Sequence, residues 1–272
     1  AHVVEDRPLG ARGDDGCGNA VHPYLRAAAS SPVLAADRLG GGRLDGRRQP
    51  GRPGAGGRQN RMSEATSEIA AKWSENQTVS GPILVLPYNH YSKYEKDGVS
   101  LINQTIKKAF FLPQSLEISS ILEPKKLSRG IFDVVVYNAQ LKMKGNFSKP
   151  DLASLNISEE NVLWRDAYLL MGITDLRGIK NDPEINFGGK SYYSEPSQDD
   201  LGLFQNSIAA RLKLQDSIMV DKEFELNLSI KGSEQLFFVP TGKNTKVGVT
   251  GQWKDPSFGG AFLPDTRSVS DS

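Results

Sequence analysis

Apolar and polar residues alternate strictly through much of the chain after residue 61. In 137–144, Tyr137, Ala139, Leu141 and Met143 are apolar and every residue between them is polar. Successive side chains of a β-strand point to opposite faces, so this alternation predicts a strand with one buried face and one face in water. The same pattern recurs at 115–119, 208–214, 223–231 and 246–253.

Other apolar runs are continuous and predict strands buried on both faces, and turn sequences separate them from the alternating runs. The continuous runs are 83–86, 132–137, 167–173 and 236–239, and the turns are 96–98, 187–189, 231–233 and 240–243. Many strands with regular turns predict a mainly β fold, with antiparallel sheets packed as a sandwich. The polar stretches 150–162 and 194–206 are predicted to be loops or short helices.

One short helix is predicted at the start of this β-rich region. Residues 64–73 contain good helix formers and few breakers, and Ser63 or Thr66 can cap the first turn.

The first 61 residues differ sharply in composition from the rest. They hold ten Arg and no Lys, Ile or Phe, and 12 of the 27 Gly. Such a segment buries too little apolar surface to offset backbone ordering, at roughly 1–2 kcal/mol per residue. We therefore predict a disordered Arg/Gly-rich head at 1–61, foreign to the domain at 62–272. A basic arm for nucleic acid is the alternative, but Tyr24 is the only aromatic residue there that could stack on bases.

Charge, cysteine content and hydropathy narrow the classes of function. The net charge is +1, which gives no electrostatic reason to expect nucleic acid or an anionic membrane as partner. No apolar run approaches the roughly 20 residues that span a bilayer, so the chain as given is expected to be soluble. Cys17 is the single cysteine, which excludes an intramolecular disulfide.

Motifs for nucleotide or metal binding are incomplete. Gly189-Lys190-Ser191 looks like the end of a P-loop, but Glu184 stands where the earlier glycine is required. Asp199 and Asp200, near Glu195, form an acidic cluster that could hold Ca²⁺, and we interpret it as a solvated loop. We predict no cofactor and no metal site.

Catalytic constellations are also weak. His90 is the only histidine after residue 61, and its segment 88–93 reads as a loop after a strand. Paired carboxylates with Trp73, Trp164 or Trp253 would suit a β-sandwich module that binds or hydrolyses glycans, which is the alternative function. Trp253 lies on the apolar face of its predicted strand, which favours packing. We predict no catalytic residue.

Several separate motifs recur in an order and spacing that resemble the CreD family of bacterial inner-membrane proteins. They are SGPILVLPY at 80–88, RGIFDVVVYNAQLKMKGNF at 129–147, DLRGI at 175–179, FVPTGKNT at 238–245, WKDPSFGGAFLPD at 253–265 and RSVSD at 267–271. The resemblance implies a β-rich extracytoplasmic domain that follows one membrane helix and precedes several others. This chain would hold only that domain, truncated at its C-terminal end.

The resemblance also implies a function. We expect a non-enzymatic domain at the periplasmic face of the inner membrane, with a structural or interaction role linked to envelope stress and the β-lactam response. Its partner would be an envelope protein or a cell-wall component. The motif residues are expected to be structural, with Arg129 and Arg177 pairing with carboxylates at strand ends.

Overall fold

The computed structural model describes residues 2–8, 55–96, 98–197, 204–214, 221–252, 257, 259 and 266–268. In this part of the chain the mainly β prediction is confirmed, with thirteen strands, one α-helix and three 3-10 turns. The elements are β1 (His2–Pro8), α1 (Ala55–Lys72), β2 (Gln77–Lys96), β3 (Val99–Phe111), β4 (Ser115–Arg129), β5 (Phe132–Phe147), the 3-10 turns Glu159–Asn161 and Trp164–Asp166, β6 (Tyr168–Ile173), the 3-10 turn Leu176–Gly178, β7 (Glu184–Phe187), β8 (Lys190–Ser197), β9 (Ser207–Arg211), β10 (Lys222–Ser233), β11 (Leu236–Val239), β12 (Asn244–Gly251) and β13 (Thr266–Ser268).

The strands form one continuous sheet in which β8 joins two halves. The order is β11-β2-β6-β9-β8-β7-β10-β5-β4-β12-β1-β13, and β3 pairs with β2 outside this path. The first residues of β8 pair with β7 and its last residues pair with β9. The described pairings are antiparallel except for β11 with β2 and β12 with β4, which are parallel.

One hydrophobic core contains side chains from both halves of the sheet, as a sandwich requires. Leu84 and Leu86 of β2 come from one half, and Leu141 and Met143 of β5 come from the other. All four are at most 2% exposed. Burying a side chain of this size contributes about 1.5–3 kcal/mol, so the contact between the halves is a principal source of stability.

The alternating pattern is confirmed in β5 and β10. Buried residues face each other across these strands, as Leu226 does with Met143 and Leu228 with Leu141. The solvent face between them is polar and carries the ion pair Lys142–Glu225, with 2.9 Å between nitrogen and oxygen. Alternation therefore assigned each side chain of these strands to its correct face.

The continuous apolar runs have different outcomes. The run 83–86 and the run 167–173 are buried throughout, as predicted, because β2 and β6 lie inside the sheet with both faces covered. In 132–137 the burial is partial, with Asp133 exposed. The prediction was wrong for much of 236–239, where Phe237 is 37% exposed, because β11 is an edge strand that pairs only with β2 among the described strands.

The helix begins earlier than predicted. α1 begins at Ala55, so Ser63 and Thr66 lie inside it and the predicted caps were wrong. No proline follows Pro53 before Ser63, so the helix can extend back to Ala55 even though Gly56 and Gly57 are poor helix formers. Near its C-terminal end, Ile69 packs against Val134 and Val136 on the outer face of β5, flanked by Trp73 and Leu127.

Two segments of the predicted disordered head are ordered. His2–Pro8 forms β1, which pairs with β12 and β13, and residues 55–61 belong to α1. The free edge of β12 offers hydrogen-bond partners to an extended segment, and Val3 and Val4 favour β structure. Residues 9–54 lie outside the described residues.

One predicted loop and the start of another are strands instead. The predicted loop 88–93 continues β2 as far as Lys96, and Ser194–Ser197, the first part of the predicted loop 194–206, continues β8. Beyond Tyr88, which bridges to Val162, β2 and β3 run on as a two-stranded arm. We call residues 89–108 the arm. The turn predicted at 96–98 lies at its tip, where Asp97 itself is outside the described residues.

The arm and α1 lie at opposite ends of the strands. Gln77 begins β2 at the end where β10 finishes, and β2 then runs toward the arm. At the end opposite the arm, the part of α1 from Arg61 to Glu68 lies beside the turn that joins β4 to β5, where Arg129 binds Glu68. β12 is parallel to β4 and runs toward this same end. We call it the helix end.

Candidate functional site

A buried carboxylate lies where α1 meets the sheet. Asp175, which is 7% exposed, precedes the 3-10 turn Leu176–Gly178 and caps it by accepting a hydrogen bond from the Arg177 amide at 3.0 Å. The Arg177 side chain binds the same carboxylate with both Nε, at 3.0 Å from Oδ1, and Nη2, at 2.9 Å from Oδ2. Such a two-point contact fixes both position and orientation.

Ser74 and Gln77 complete this cluster. Both are fully buried, and the Ser74 hydroxyl donates to Asp175 Oδ2 at 2.9 Å. The Gln77 amide nitrogen donates to Ser74 Oγ at 3.0 Å, to the Asp175 carbonyl at 2.9 Å and to the Lys231 carbonyl at 3.2 Å. Gln77 Oε1 accepts from the Asp175 amide at 3.2 Å. The Gln77 side chain thus has partners at both ends, as a buried amide requires.

Gly178 allows this close packing. A β-carbon there would stand 2.6 Å from the Lys231 carbonyl oxygen and 2.9 Å from Ser74 Oγ, and closer still to the Gln77 amide nitrogen. These neighbours include backbone, which cannot move aside cheaply. Gly178, the glycine of the DLRGI motif, is therefore required because there is no room for a side chain at this position.

The electrostatics of the cluster favour an ionised carboxylate. Burial acts to raise the pKa of Asp175, but hydrogen bonds, first of all from Arg177, lower it to about 2. The same contact raises the pKa of Arg177. Burial also raises the pKa of Tyr137, against a smaller opposing effect of a hydrogen bond with the Gln77 backbone. Asp175 is thus held as an anion and Tyr137 as a neutral phenol.

The cluster clamps the end of α1 to the sheet. Arg177 Nη1 donates to the Ala71 carbonyl at 3.1 Å, and the Glu75 amide donates to Asp175 Oδ2 at 3.2 Å. Trp73 donates to the Tyr137 carbonyl at 3.5 Å, and Lys231 lies over its ring at 5.6 Å from the centroid. These contacts occupy the polar atoms of Asp175. The arrangement is therefore suited to holding the end of α1 against the sheet.

Both arginines pair with carboxylates as predicted, but only Arg177 makes the expected two-point contact, and the partner of Arg129 lies on α1 and not at a strand end. Arg177 binds the buried Asp175, whereas Arg129 binds Glu68 through Nε at 2.8 Å on an exposed surface. Exposed pairs contribute little to stability, so Arg177 is the more important of the two.

An open groove of about 470 Å³ lies where β5 leads into the 3-10 turns. Lys149, Asp151, Glu159 and Trp164 are among its lining residues. Asp151 Oδ1 accepts a hydrogen bond from the Ser154 amide at 3.1 Å, and Trp164 packs partly against the core. Two carboxylates and an indole therefore border one groove, and these are the residue types that the glycan alternative would use.

The arm exposes apolar side chains on both faces. Tyr94 lies opposite Leu101, with Val99 on the same face. Tyr91, Ile102 and Ile106 share the other face, because Tyr91 pairs with Gln104 between the two isoleucines. All six side chains are between 37% and 67% exposed.

The structure places the other sequence candidates apart. His90 is on the arm, Glu195 is in β8, and Gly188 and Gly189 form the β7–β8 turn with φ of 57° and 80°, as their turn prediction required. No group of three or more His, Cys, Asp or Glu within the described ranges is placed to hold a metal ion. Asp199, Asp200 and Trp253 lie outside those ranges.

Sequence reasoning missed the parts of these sites that depend on long-range contacts. Ser74 and Gln77 meet Asp175 across about a hundred positions of sequence, with separations of 101 and 98. Asp before a tight turn was a usable signal, because aspartate is a favoured cap. For the arm, the signal was Ile102 and Ile106 at even spacing within polar sequence.

Fold and cluster together define a β-sandwich domain with a helix clamped to its outer face. The chain matches the family described as "Inner membrane protein CreD" over residues 55–272, from the first residue of α1, and it belongs to that family. The resemblance predicted from the separate motifs is thereby confirmed. Membership supports an envelope protein of the inner membrane.

A curated relative gives the scale of the whole protein. The chain is 27% identical over 214 residues to "Inner membrane protein CreD" of Escherichia coli (strain K12). The aligned region covers 77% of this chain and 46% of the relative, so the chain spans less than half of that protein. No solved structure matches the chain. Within the described residues, no helix has the length and apolar character needed to cross a membrane.

Proposed function

We propose that this domain is a non-enzymatic interaction module on the periplasmic face of an inner-membrane protein, and that it acts in the response to envelope stress and β-lactams. One observation carries the proposal. The domain has two unlike ends, a helix end closed by buried polar contacts and an opposite end that presents an apolar arm.

The course of the chain supports an orientation. The family resemblance implies membrane helices before and after the domain. The part of α1 from Arg61 to Glu68 lies beside the β4–β5 turn, and the helix then runs to the sheet, where Trp73 binds the Tyr137 carbonyl. Because the chain enters the domain at the helix end, that end faces the membrane and the arm points away from it.

Labelling in intact cells tests the periplasmic location. Ser119 is exposed on β4, outside the arm. In the full-length protein with Cys17 replaced by serine, Ser119→Cys should react with a membrane-impermeant maleimide before lysis. Protection until the inner membrane is permeabilised would contradict the periplasmic location.

The groove beside Trp164 supports a second candidate, a module that binds or cleaves cell-wall glycans. Its acids, Asp151 and Glu159, would then act on a sugar held against the indole. Asparagine forms the same type of turn as aspartate, so Asp151→Asn keeps the contact with the Ser154 amide.

Complementation separates the two candidates. A strain that lacks the full-length protein would receive either the parent or the double variant Asp151→Asn, Glu159→Gln, and survival under a β-lactam would be measured. The interaction proposal expects parental survival. A variant that is folded but fails to complement would favour glycan chemistry.

A further inference from the structure

Exposed apolar side chains are concentrated on the arm. Twelve large hydrophobic side chains are exposed among the described residues, and six of them lie there. Ile102 and Ile106 are 67% and 66% exposed, which is unusual for isoleucine in a monomer. Clusters of this kind mark sites that another molecule covers.

The arm has little support from the rest of the domain. β3 pairs only with β2 among the described strands, and its residues from Val99 to Lys108 are all exposed. A two-stranded hairpin alone is marginally stable in water. A partner that covers it would therefore stabilise it as well as bind it.

Charge gives the chemistry of that partner. Lys93, Lys96 and Lys107 are exposed along the arm, and Glu95 is the only exposed acid among its described residues. Their positive charges lie between the apolar side chains of both faces. The complementary surface is apolar with acidic groups at its edge.

We propose that the arm is inserted into a cleft of a second envelope protein, lined by apolar side chains and rimmed by aspartate and glutamate. This deepens the proposed function, because it rests on the arm being held away from the inner membrane. A cleft covers both faces of the arm at once, whereas a flat surface covers only one.

The arm's length argues against lipid as the occupant. From Val99 near the tip to Ile106 the strand extends about 24 Å, at about 3.4 Å per residue. Interfacial segments sink about 5–10 Å into a bilayer surface. An inserted tip would leave Ile106 and Tyr91 in water.

A second copy of the chain fits poorly for an electrostatic reason. Two arms packed together would bring their lysines near each other, and like charges opposite each other on paired strands are destabilising. Residues 89–108 hold four Lys against two acids, so acidic groups offset this repulsion only in part.

Photo-crosslinking in cells tests the inference. p-Benzoylphenylalanine replaces Ile102 on the arm or, as a matched control, Ile121 on β4, which is 53% exposed on the body. Both variants are made in the full-length protein. Irradiation should join the Ile102 variant to one second polypeptide and leave the Ile121 variant without that adduct.

The charge requirement decides whether such an adduct supports the proposal. Lys93→Glu with Lys96→Glu should lower the adduct at least about tenfold, and Lys93→Arg with Lys96→Arg should keep it. Mass spectrometry should place the crosslink on the partner within an apolar segment flanked by Asp or Glu. An adduct that survives charge reversal overturns the proposal.

Other outcomes are equally decisive. An adduct made only of this chain would establish self-association, and lipid adducts alone, or no adduct, would also reject the cleft. The Ser119→Cys labelling and the Asp151/Glu159 complementation do not depend on the crosslink. If they succeed while the crosslink fails, the docking inference falls and the proposed function stands.

Discussion

The helix end and the arm place polar and apolar side chains in opposite environments, although β-strands contribute to both. At the helix end, polar side chains are inside and have partners, as Gln77 and Asp175 do. On the arm, apolar side chains such as Ile102 are outside and have no core to enter. The difference indicates that the helix end is built for internal stability and the arm for contact with another molecule.

The largest effect should follow from filling the space at the helix end. Gly178→Ala places a methyl group against the Lys231 carbonyl and Gln77, and we expect it to lower the free energy of unfolding by about 3 kcal/mol. Gly98→Ala is the control, since Gly98 at φ 76° has open space around it. An alanine in this left-handed backbone conformation costs only about 1 kcal/mol. Urea denaturation of both variants would measure the difference; equal losses would contradict close packing at Gly178.

Removing the charge at Asp175 should be the next largest effect. Asp175→Asn loses the two-point contact with Arg177 and weakens the clamp on α1, at an expected cost of about 2–3 kcal/mol. Thermal unfolding would detect it. Glu68→Gln, which weakens only the exposed pair with Arg129, is the matched control and should cost under about 0.5 kcal/mol.

Lowering the pH should destabilise the protein through the same carboxylate, that of Asp175. The pKa of Asp175 falls from 3.8 to about 2 on folding, so ionisation contributes stability above pH 4 that is lost as the pH falls toward 2. The loss attributable to this group is about 2 kcal/mol. Unfolding measured between pH 6 and 2 should therefore show a shallower decline in Asp175→Asn than in the parent. Parallel curves would contradict the role of this carboxylate.

The smallest change in the free energy of unfolding is expected on the arm. It is also the most informative, because it tests whether the arm packs against the rest of the domain. Ile106→Ala should change the free energy of unfolding by less than about 0.5 kcal/mol, because the side chain is 66% exposed. Ile83→Ala, in the buried part of β2, should cost about 2–5 kcal/mol. A large loss at Ile106 would show that the arm packs against the body and is not free to bind a partner.

The alternation of apolar and polar residues predicted burial correctly wherever a strand has one buried face. It assigned Leu141, Met143, Leu226 and Leu228 to the core correctly, since side-chain direction alternates whatever the partner strand. It failed at 88–93, where a polar stretch was interpreted as a loop. Pairing with β3 keeps this stretch extended, and pairing is not encoded in polarity.

The candidate sites were less predictable than the fold. Arg177 was expected to bind a carboxylate, and it does, because its partner Asp175 is two positions away. Gln77 was not expected in the cluster, because the carbonyl groups to which it donates, those of Asp175 and Lys231, are distant in sequence. The groove bordered by Asp151, Glu159 and Trp164 was missed although these residues are close in sequence, because the polar composition of 150–162 does not determine how its turns fold.

The sequence by itself determined the β character, most of the core and the family, because all three follow from the order of residue types along the chain. Tertiary structure decided how β8 joins the two halves of the sheet, where α1 is clamped and which strands extend into the arm. These features depend on which distant segments meet, and the free energy of such contacts appears only when the chain folds as a whole.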